Sequence, residues 1–233
     1  MSNPQNPNLE MLMLAVDQLG DLADEMVFLG GCATGLLVTD QAAPPFRPTD
    51  DVDAIVQIIS VAEYFQFSKK LRDRNFREDT RDDAPVCRWL GENVTLDVMP
   101  DDEKILGFGS PWYRKAIEHK IRFELPNMKN IGLVSAPYFL ITKLEAFKGR
   151  GNGDFMKSHD IEDIVTVLDG RPEILDEISE SDIDLKKEIS DRFGAMLENK
   201  SFINSVSGHM LPDEPSQARV PGIIDTIRGI RDL

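Results

Sequence analysis

The spacing of hydrophobic residues predicts alternating helices and strands at the start of the chain. Apolar residues recur at helical intervals over about residues 9–25, which predicts an amphipathic helix. The apolar run 26–29 that follows predicts a short buried strand. Gly30 and Gly31 then interrupt the strand, and residues 32–38 have the pattern of a short helix that starts at the glycines. The sequence thus predicts a strand, a glycine turn and a helix in direct succession.

Three further apolar runs predict strands. The first covers residues 52–59, and a helix is expected over about 62–75 behind it. The other two runs, 86–90 and 94–99, are separated by Gly91-Glu92-Asn93, which has the length and chemistry of a hairpin turn.

From residue 137 onward the pattern is helical. Helices are predicted over about 137–147, 158–168, 173–197 and 222–231, with a polar, proline-containing linker over 211–221. We therefore expect an α+β fold. Residues 1–135 would form a small domain with a mixed sheet, and residues 136–233 a C-terminal helical domain.

The charge balance restricts the classes of partner. The chain has 26 Lys and Arg against 41 Asp and Glu, a net charge of -15, so its surface repels nucleic acid unless cations gather on one face. The only dense basic cluster comprises Lys69, Lys70, Arg72, Arg74, Arg77 and Arg81. Residues 1–9 lack a basic leader-type segment, and the longest uncharged apolar stretch is shorter than the ~20 residues that span a bilayer. We expect a cytoplasmic protein with no membrane partner.

The strongest chemical feature is Asp51-Val52-Asp53 at the start of a predicted strand. The two-residue period of a strand places both carboxylates on one face, where they repel each other. A divalent cation such as Mg²⁺ offsets this repulsion, because it prefers oxygen ligands. Asp97, an acid within an apolar strand, also needs a partner or a metal. The alternative is that Asp51 and Asp53 cap the strand and that Asp97 faces water.

Gly30 and Gly31 add a second chemical element. Between a buried strand and a helix, glycines let backbone N–H groups approach phosphate oxygens with no Cβ in the way. Alone, the pair indicates only a tight turn. Its significance comes from the order of features, since the acids of residues 51–53 lie on the next predicted strand and Asp97 on a later one.

These residues resemble the motifs of a known superfamily. Leu29-Gly30-Gly31, the run Arg47-Pro48-Thr49-Asp50-Asp51-Val52-Asp53 and Asp97 resemble the motifs of the DNA polymerase β-like nucleotidyltransferases. The form of the run is most similar to the abortive-infection toxin nucleotidyltransferases of the AbiEii/AbiGii group, and more distantly to aminoglycoside or lincosamide nucleotidyltransferases. A later helical motif of the toxin group is similar to Lys143, Arg150, Asp160 and Asp163, although the segment before Asp160 is longer and rich in glycine here.

The resemblance implies an enzyme that moves a nucleoside monophosphate from an NTP to a hydroxyl acceptor and releases pyrophosphate. It implies a nucleotidyltransferase core at the N-terminus, with Asp51, Asp53 and Asp97 as ligands of Mg²⁺ or Mn²⁺. The implied catalytic residues are Asp51, Asp53, Asp97, Lys143 and Asp160, and the implied nucleotide-binding residues are Gly30, Gly31, Thr49, Lys143 and Arg150. For Lys143, Asp160 and Asp163 the alternative is a solvated helix face with local ion pairs.

The acceptor and the biological role stay open at this point. RNA, a protein side chain and a small molecule are all candidate acceptors, and the resemblance adds an antitoxin protein to the candidate partners. Two alternatives remain for the function. One is a non-catalytic module that binds nucleotide or takes part in a toxin–antitoxin interaction, and the other is an aminoglycoside-like nucleotidyltransferase.

Overall fold

The structure is a computed structural model that describes residue 6, residues 8–45 and residues 47–233. It has the mixed α and β composition that the sequence predicts, with a mixed sheet of seven strands. The chain divides into two compact units. The first contains the described residues of Met1–Leu36 and Arg47–Ser135, and the second those of Leu37–Phe46 and Ala136–Leu233.

The first unit is built on the sheet. Its strands are β1 (Met26–Leu29), β2 (Val52–Val56), β3 (Arg77–Glu78), β4 (Arg88–Leu90), β5 (Thr95–Pro100), β6 (Ile121–Glu124) and β7 (Asn130–Leu133). They are arranged in the order β3-β4-β5-β2-β1-β7-β6. The pairs β1–β7 and β2–β5 are parallel and the other neighbours are antiparallel. The predicted strands at β1, β2, β4 and β5 are confirmed. The other three were not predicted, because β3 has two polar residues and β6 and β7 have only four residues each.

Helices cover the sheet of the first unit. They are α1 (Leu9–Leu19), α2 (Gly30–Leu37), α3 (Val61–Asp73), α4 (Glu103–Leu106) and α5 (Tyr113–Glu118). Both α1 and α5 contact β2, and every residue of β1 is buried, as expected of a central strand covered on both faces. The predicted first helix is shorter than expected. It ends at Gly20, whose φ of 61° leaves the helical region, and a 3-10 segment, Gly20–Glu25, follows.

The second unit is helical. Its helices are α6 (Ala136–Arg150), α7 (His159–Gly170), α8 (Ile174–Ser179), α9 (Ile183–Leu197), α10 (Lys200–Gly208), α11 (Glu214–Gln217) and α12 (Val220–Arg231). The single helix predicted over 173–197 is two helices. The break falls at Glu180-Ser181-Asp182, where the Ser181 hydroxyl donates to the Glu177 carbonyl in place of a continued backbone ladder. Neither α10 nor α11 was predicted.

One segment of the N-terminal half belongs to the second unit. The backbone amides of Thr39 and Asp40 donate to the carbonyl of Gly170 at 2.8 and 2.9 Å. Arg219 donates to the carboxylates of Asp40 and Asp169, both at 2.7 Å. These bonds tie the segment before residue 46 to α7 and the start of α12, whereas the sequence pattern had placed it with residues 1–135. Within the described part of the chain, no helix has the length and apolar character needed to cross a membrane.

Candidate functional site

The register of the sheet brings the predicted acids together. Leu29 on β1 pairs with Asp53 on β2, Asp53 pairs with Asp97 on β5, and Asp97 pairs with Arg88 on β4. Residues at the same register on neighbouring strands project from the same face of a sheet. Asp51, two residues before Asp53, joins that face. Three carboxylates and one guanidinium therefore lie side by side.

Arg88 links two of the three acids, and sequence reasoning did not identify it. Its Nε donates to Asp97 Oδ1 and its Nη2 to Asp97 Oδ2, both at 2.8 Å, and the same Nη2 donates to Asp51 Oδ2 at 2.7 Å. The hydrogen bonds to Asp97 raise the pKa of Arg88 above its ordinary value. Asp97 is only 6% exposed, so the alternative that it faces water is wrong.

The acid closest to the glycine turn is Asp53. Gly30 has a φ of +72°, in the left-handed region that favours glycine. A Cβ at this position would overlap the carboxyl group of Asp53. Because Gly30 is also the first residue of α2, the backbone amides at the start of this helix, which lack intrahelical acceptors, lie beside the carboxylates. The structure therefore places the predicted phosphate turn next to the predicted metal ligands.

Thr49 and Asn8 hold the loop that leads into β2. Thr49 Oγ1 donates to Asp51 Oδ1 at 3.0 Å, so the second oxygen of this carboxylate is also held. The buried Asn8 accepts from the Thr49 amide at 2.8 Å and donates to the carbonyls of Gly31 and Arg47 at 3.3 and 3.2 Å. Asn8 thus joins the glycine turn to the loop before Asp51. It lies more than twenty residues from either in sequence, and no motif identified it.

We expect Asn8→Ala to loosen this junction. The change removes the partner of a buried backbone group at Gly31 and of partly buried ones at Arg47 and Thr49, and an unsatisfied buried group costs about 1–3 kcal/mol. Denaturant unfolding is expected to show a loss of about 2 kcal/mol or more. Asn93→Ala, an exposed position in the turn between β4 and β5, is the matched control, and equal stability of the two variants would contradict the role of Asn8.

The carboxylates of the site contribute to a raised pKa of the neighbouring Cys87 thiol. Burial, reinforced by the negative charges of Asp97 and Asp53, raises the pKa of Cys87 to about 12. Cys87 is thus a protonated, buried thiol with no nucleophilic character at neutral pH.

The carboxylate oxygens of this site are of the chemical type that binds divalent cations. Within the part of the chain that the structure describes, no group of three or more His, Cys, Asp or Glu is arranged as a metal site. Arg88 Nη2, however, lies within 2.8 Å of oxygens from both Asp51 and Asp97, so these two carboxylates converge on one positive charge. Carboxylate oxygens are the ligands that Mg²⁺ and Mn²⁺ prefer. The residues present fit such an ion at the place where the guanidinium now lies.

The remaining predicted residues form a separate cluster within the second unit. Lys143 on α6 donates to Asp163 at 2.6 Å and to Asp160 at 3.4 Å, both on α7. Arg150 makes a bidentate pair with Asp160 at 3.0 and 2.8 Å. Lys143, Asp160 and Asp163 are all buried, so the alternative of a solvated helix face is wrong for these three. The predicted catalytic and nucleotide-binding roles of Lys143, Arg150 and Asp160 stay predictions.

Two effects oppose each other at Asp160. Burial raises the pKa of this carboxyl, but the hydrogen bonds from Arg150 and the charge of Lys143 outweigh it, so the pKa lies below its ordinary value of 3.8. Asp160 is therefore ionised at neutral pH and contributes stability above about pH 4, which is lost as the pH falls through its lowered pKa.

Lys143→Met is expected to destabilise the protein by about 3–5 kcal/mol, because it removes the cation that bonds to two buried carboxylates, Asp160 and Asp163. Lys148→Met, at an exposed position on the same helix, is expected to change stability by less than about 0.5 kcal/mol. Thermal or denaturant unfolding of the two variants makes the comparison. A Lys143 variant as stable as the Lys148 variant would show that the buried pair does not support the fold.

The basic cluster predicted as a candidate RNA face is largely paired with acids. Four of its six members form ion pairs: Lys70 with Glu25, Arg72 with Glu78, Arg74 with Asp21 and Arg81 with Asp79. Each pair places a carboxylate beside the cation, which lowers the positive potential of the surface. The cluster is therefore a weaker attractor of polyphosphate than its sequence indicates.

Comparison with known proteins adds no family assignment. The chain matches no known protein-family model, and no curated protein is significantly similar to it in sequence.

Proposed function

We propose that this protein is a metal-dependent nucleotidyltransferase that moves a nucleoside monophosphate from an NTP to a hydroxyl group. One observation carries the proposal. The register of the sheet sets Asp53 against Asp97 and beside Gly30, with Asp51 on the same face. A glycine turn at a helix start next to three neighbouring carboxylates, two of which converge on one point, would provide sites for phosphate and for a divalent cation together.

The residues divide the chemistry among them. Asp51, Asp53 and Asp97 would hold Mg²⁺ or Mn²⁺, which supplies charge for the triphosphate and lowers the pKa of the attacking hydroxyl. The backbone amides at Gly30 and Gly31 would bind the β and γ phosphates. Thr49 and Arg88 orient Asp51 through its two oxygens. Asp97, the most buried of the three acids, would take the proton of the acceptor hydroxyl.

The charge distribution favours a small hydroxylated molecule or a protein side chain as acceptor over RNA. The net charge is -15, and four cations of the one dense basic cluster are paired with acids. RNA binding depends on free cations that replace phosphate counterions. An antitoxin partner stays a prediction of the sequence resemblance.

The direct test incubates the protein with each of four NTPs labelled at the α-phosphate, with Mg²⁺ or Mn²⁺, and with RNA, protein or hydroxylated small molecules as acceptors. We expect label transfer together with pyrophosphate release. Asp51→Asn is expected to abolish both, whereas Asp50→Asn, at the exposed neighbouring acid, is expected to retain them. Activity that survives Asp51→Asn would contradict the proposal, and nucleotide binding without any transfer would favour the non-catalytic module.

A further inference from the structure

The contacts of Arg88 give it a second role in this site. Its Nη2 lies 2.7 Å from Asp51 Oδ2 and 2.8 Å from Asp97 Oδ2, between two of the carboxylates that would hold the metal. A cation that close to both oxygens screens their mutual repulsion. A divalent ion would need the same oxygens and would be repelled by the guanidinium. The two positive groups therefore compete for one place.

We propose that Arg88 is an internal counter-ion that lies at the cation position between Asp51 and Asp97 and must leave Asp51 before a divalent ion binds. This inference rests on the proposed function of the site. Arg88 is then a positioning residue, and its contact with Asp51 lowers the affinity of the site for a divalent metal.

The geometry indicates which contact is released. Arg88 holds Asp97 through two hydrogen bonds, from Nε and Nη2, but holds Asp51 through one. Bidentate pairs with carboxylates are the stronger kind. The Arg88 side chain is 22% exposed, so solvent is available to Nη2 when this nitrogen releases Asp51. We therefore expect Arg88 to keep its contact with Asp97 and to release Asp51.

The arrangement couples the metal to the nucleotide. One guanidinium bonds to two of the three neighbouring carboxylates, so the group keeps an excess of negative charge that attracts a divalent ion. An NTP adds phosphate oxygens that both complete the coordination of such an ion and pair with a displaced guanidinium. By linkage, each ligand then strengthens the binding of the other. Metal alone is expected to bind weakly while Arg88 is in place.

The test measures Mn²⁺ binding without nucleotide, by calorimetry and electron paramagnetic resonance. Arg88→Gln removes the competing charge, and we expect it to bind Mn²⁺ at least about tenfold more tightly than the native chain. Arg122→Gln is the matched control, because it removes one charge at β6, on the other edge of the same sheet, and should bind like the native chain. Adding Asp51→Asn to Arg88→Gln should remove the gain.

A second measurement uses the native chain and does not depend on the folding of a variant. The native chain is titrated to saturation with Mg²⁺, which is diamagnetic, in place of Mn²⁺. We expect the ¹⁵N resonances of the Arg88 guanidinium to shift during this titration, because the hydrogen bond to Asp51 breaks. Unchanged resonances at saturation would overturn the inference.

Equal or weaker Mn²⁺ binding by Arg88→Gln would also overturn it, and would show that Arg88 orients the acids without competing. These outcomes are distinct from failure of the proposed function. If Mn²⁺ binds as expected but no NTP is used, the nucleotidyltransferase proposal fails and the role of Arg88 stands. If transfer occurs and Arg88→Gln gains no affinity for Mn²⁺, the nucleotidyltransferase proposal stands and the proposed role of Arg88 fails.

Discussion

Asp53→Asn is expected to lower transfer of the nucleoside monophosphate by on the order of a thousandfold while the protein stays folded. The amide has the shape of the carboxylate but lacks its charge, so it is a poor ligand for a hard cation. Charge stabilisation by a bound metal is worth several kcal/mol in the transition state, and each 1.36 kcal/mol is tenfold in rate. Steady-state rates with the NTP that the native chain uses measure the effect.

The fold of this variant should survive because asparagine has the shape of aspartate and Asp53 lies beside another carboxylate, Asp97, in the register of the sheet. Loss of one of three neighbouring carboxylates relieves repulsion, so denaturant unfolding should show a stability equal to or slightly above that of the native chain. Asp50→Asn, the exposed acid in the same segment, should match the native chain in both rate and stability. Transfer within tenfold of the native rate for Asp53→Asn would contradict the assignment.

Gly30→Ala is expected to cost roughly 2–5 kcal/mol of stability and to abolish nucleotide binding. A left-handed conformation costs a residue with a Cβ about 1–2 kcal/mol. Here the Cβ would also overlap the carboxyl group of Asp53, and overpacking adds about 1–3 kcal/mol. Asp53 or the start of α2 must move to admit the methyl group, which separates the glycine turn from the acids. Denaturant unfolding and calorimetric NTP titration measure the two consequences.

Gly107→Ala separates the cost of the left-handed conformation from the cost of the overlap with Asp53. Gly107 has a φ of +79°, but a Cβ there would meet nothing within 4 Å. It therefore carries the conformational cost alone, about 1–2 kcal/mol, and should not affect nucleotide binding. If the two alanine variants lose the same stability and both bind NTP, then Gly30 is a turn residue and does not position Asp53.

The central part of the fold could be predicted because local pattern and tertiary structure agree there. Strand β1, the glycine turn and β2 are apolar runs with clear breaks, and their burial in the sheet follows from composition. Strands β6 and β7 could not be predicted in this way. The apolar–polar alternation of β6 covers only four residues and its side chains are mostly exposed, so the pattern is too short to predict a strand; β7 offers it the backbone partners.

The acids of the site could be predicted, but their partner Arg88 could not. The expected turn Gly91-Glu92-Asn93 would pair Leu90 with Val94 and set Arg88 against Leu96. In the structure the Gly91 amide bonds to the Val94 carbonyl and Leu90 pairs with Thr95, so Arg88 faces Asp97. A shift of one residue in a strand pairing turns a side chain to the other face, and turn composition alone did not fix that residue.

The buried position of Lys143 in the second unit follows from its neighbours in the sequence. Lys143 comes after Phe139 and Leu140 at helical spacing and directly before Leu144, and all three are buried. A lysine on an apolar face is covered by its neighbours and needs an acid within reach. Asp163, on the next helix, is that acid: Lys143 Nζ donates to its Oδ2 at 2.6 Å. No spacing within one helix predicts this contact.

Calorimetric titration of each of the four NTPs, with and without Mg²⁺, into the native chain and into the double variant Asp51→Asn/Asp53→Asn tests whether these acids hold a metal and a nucleotide. We expect that at least one NTP binds the native chain, that binding requires Mg²⁺, and that the double variant, folded by circular dichroism, does not bind. Absence of binding for all four NTPs, or equal binding by the double variant, would contradict this expectation.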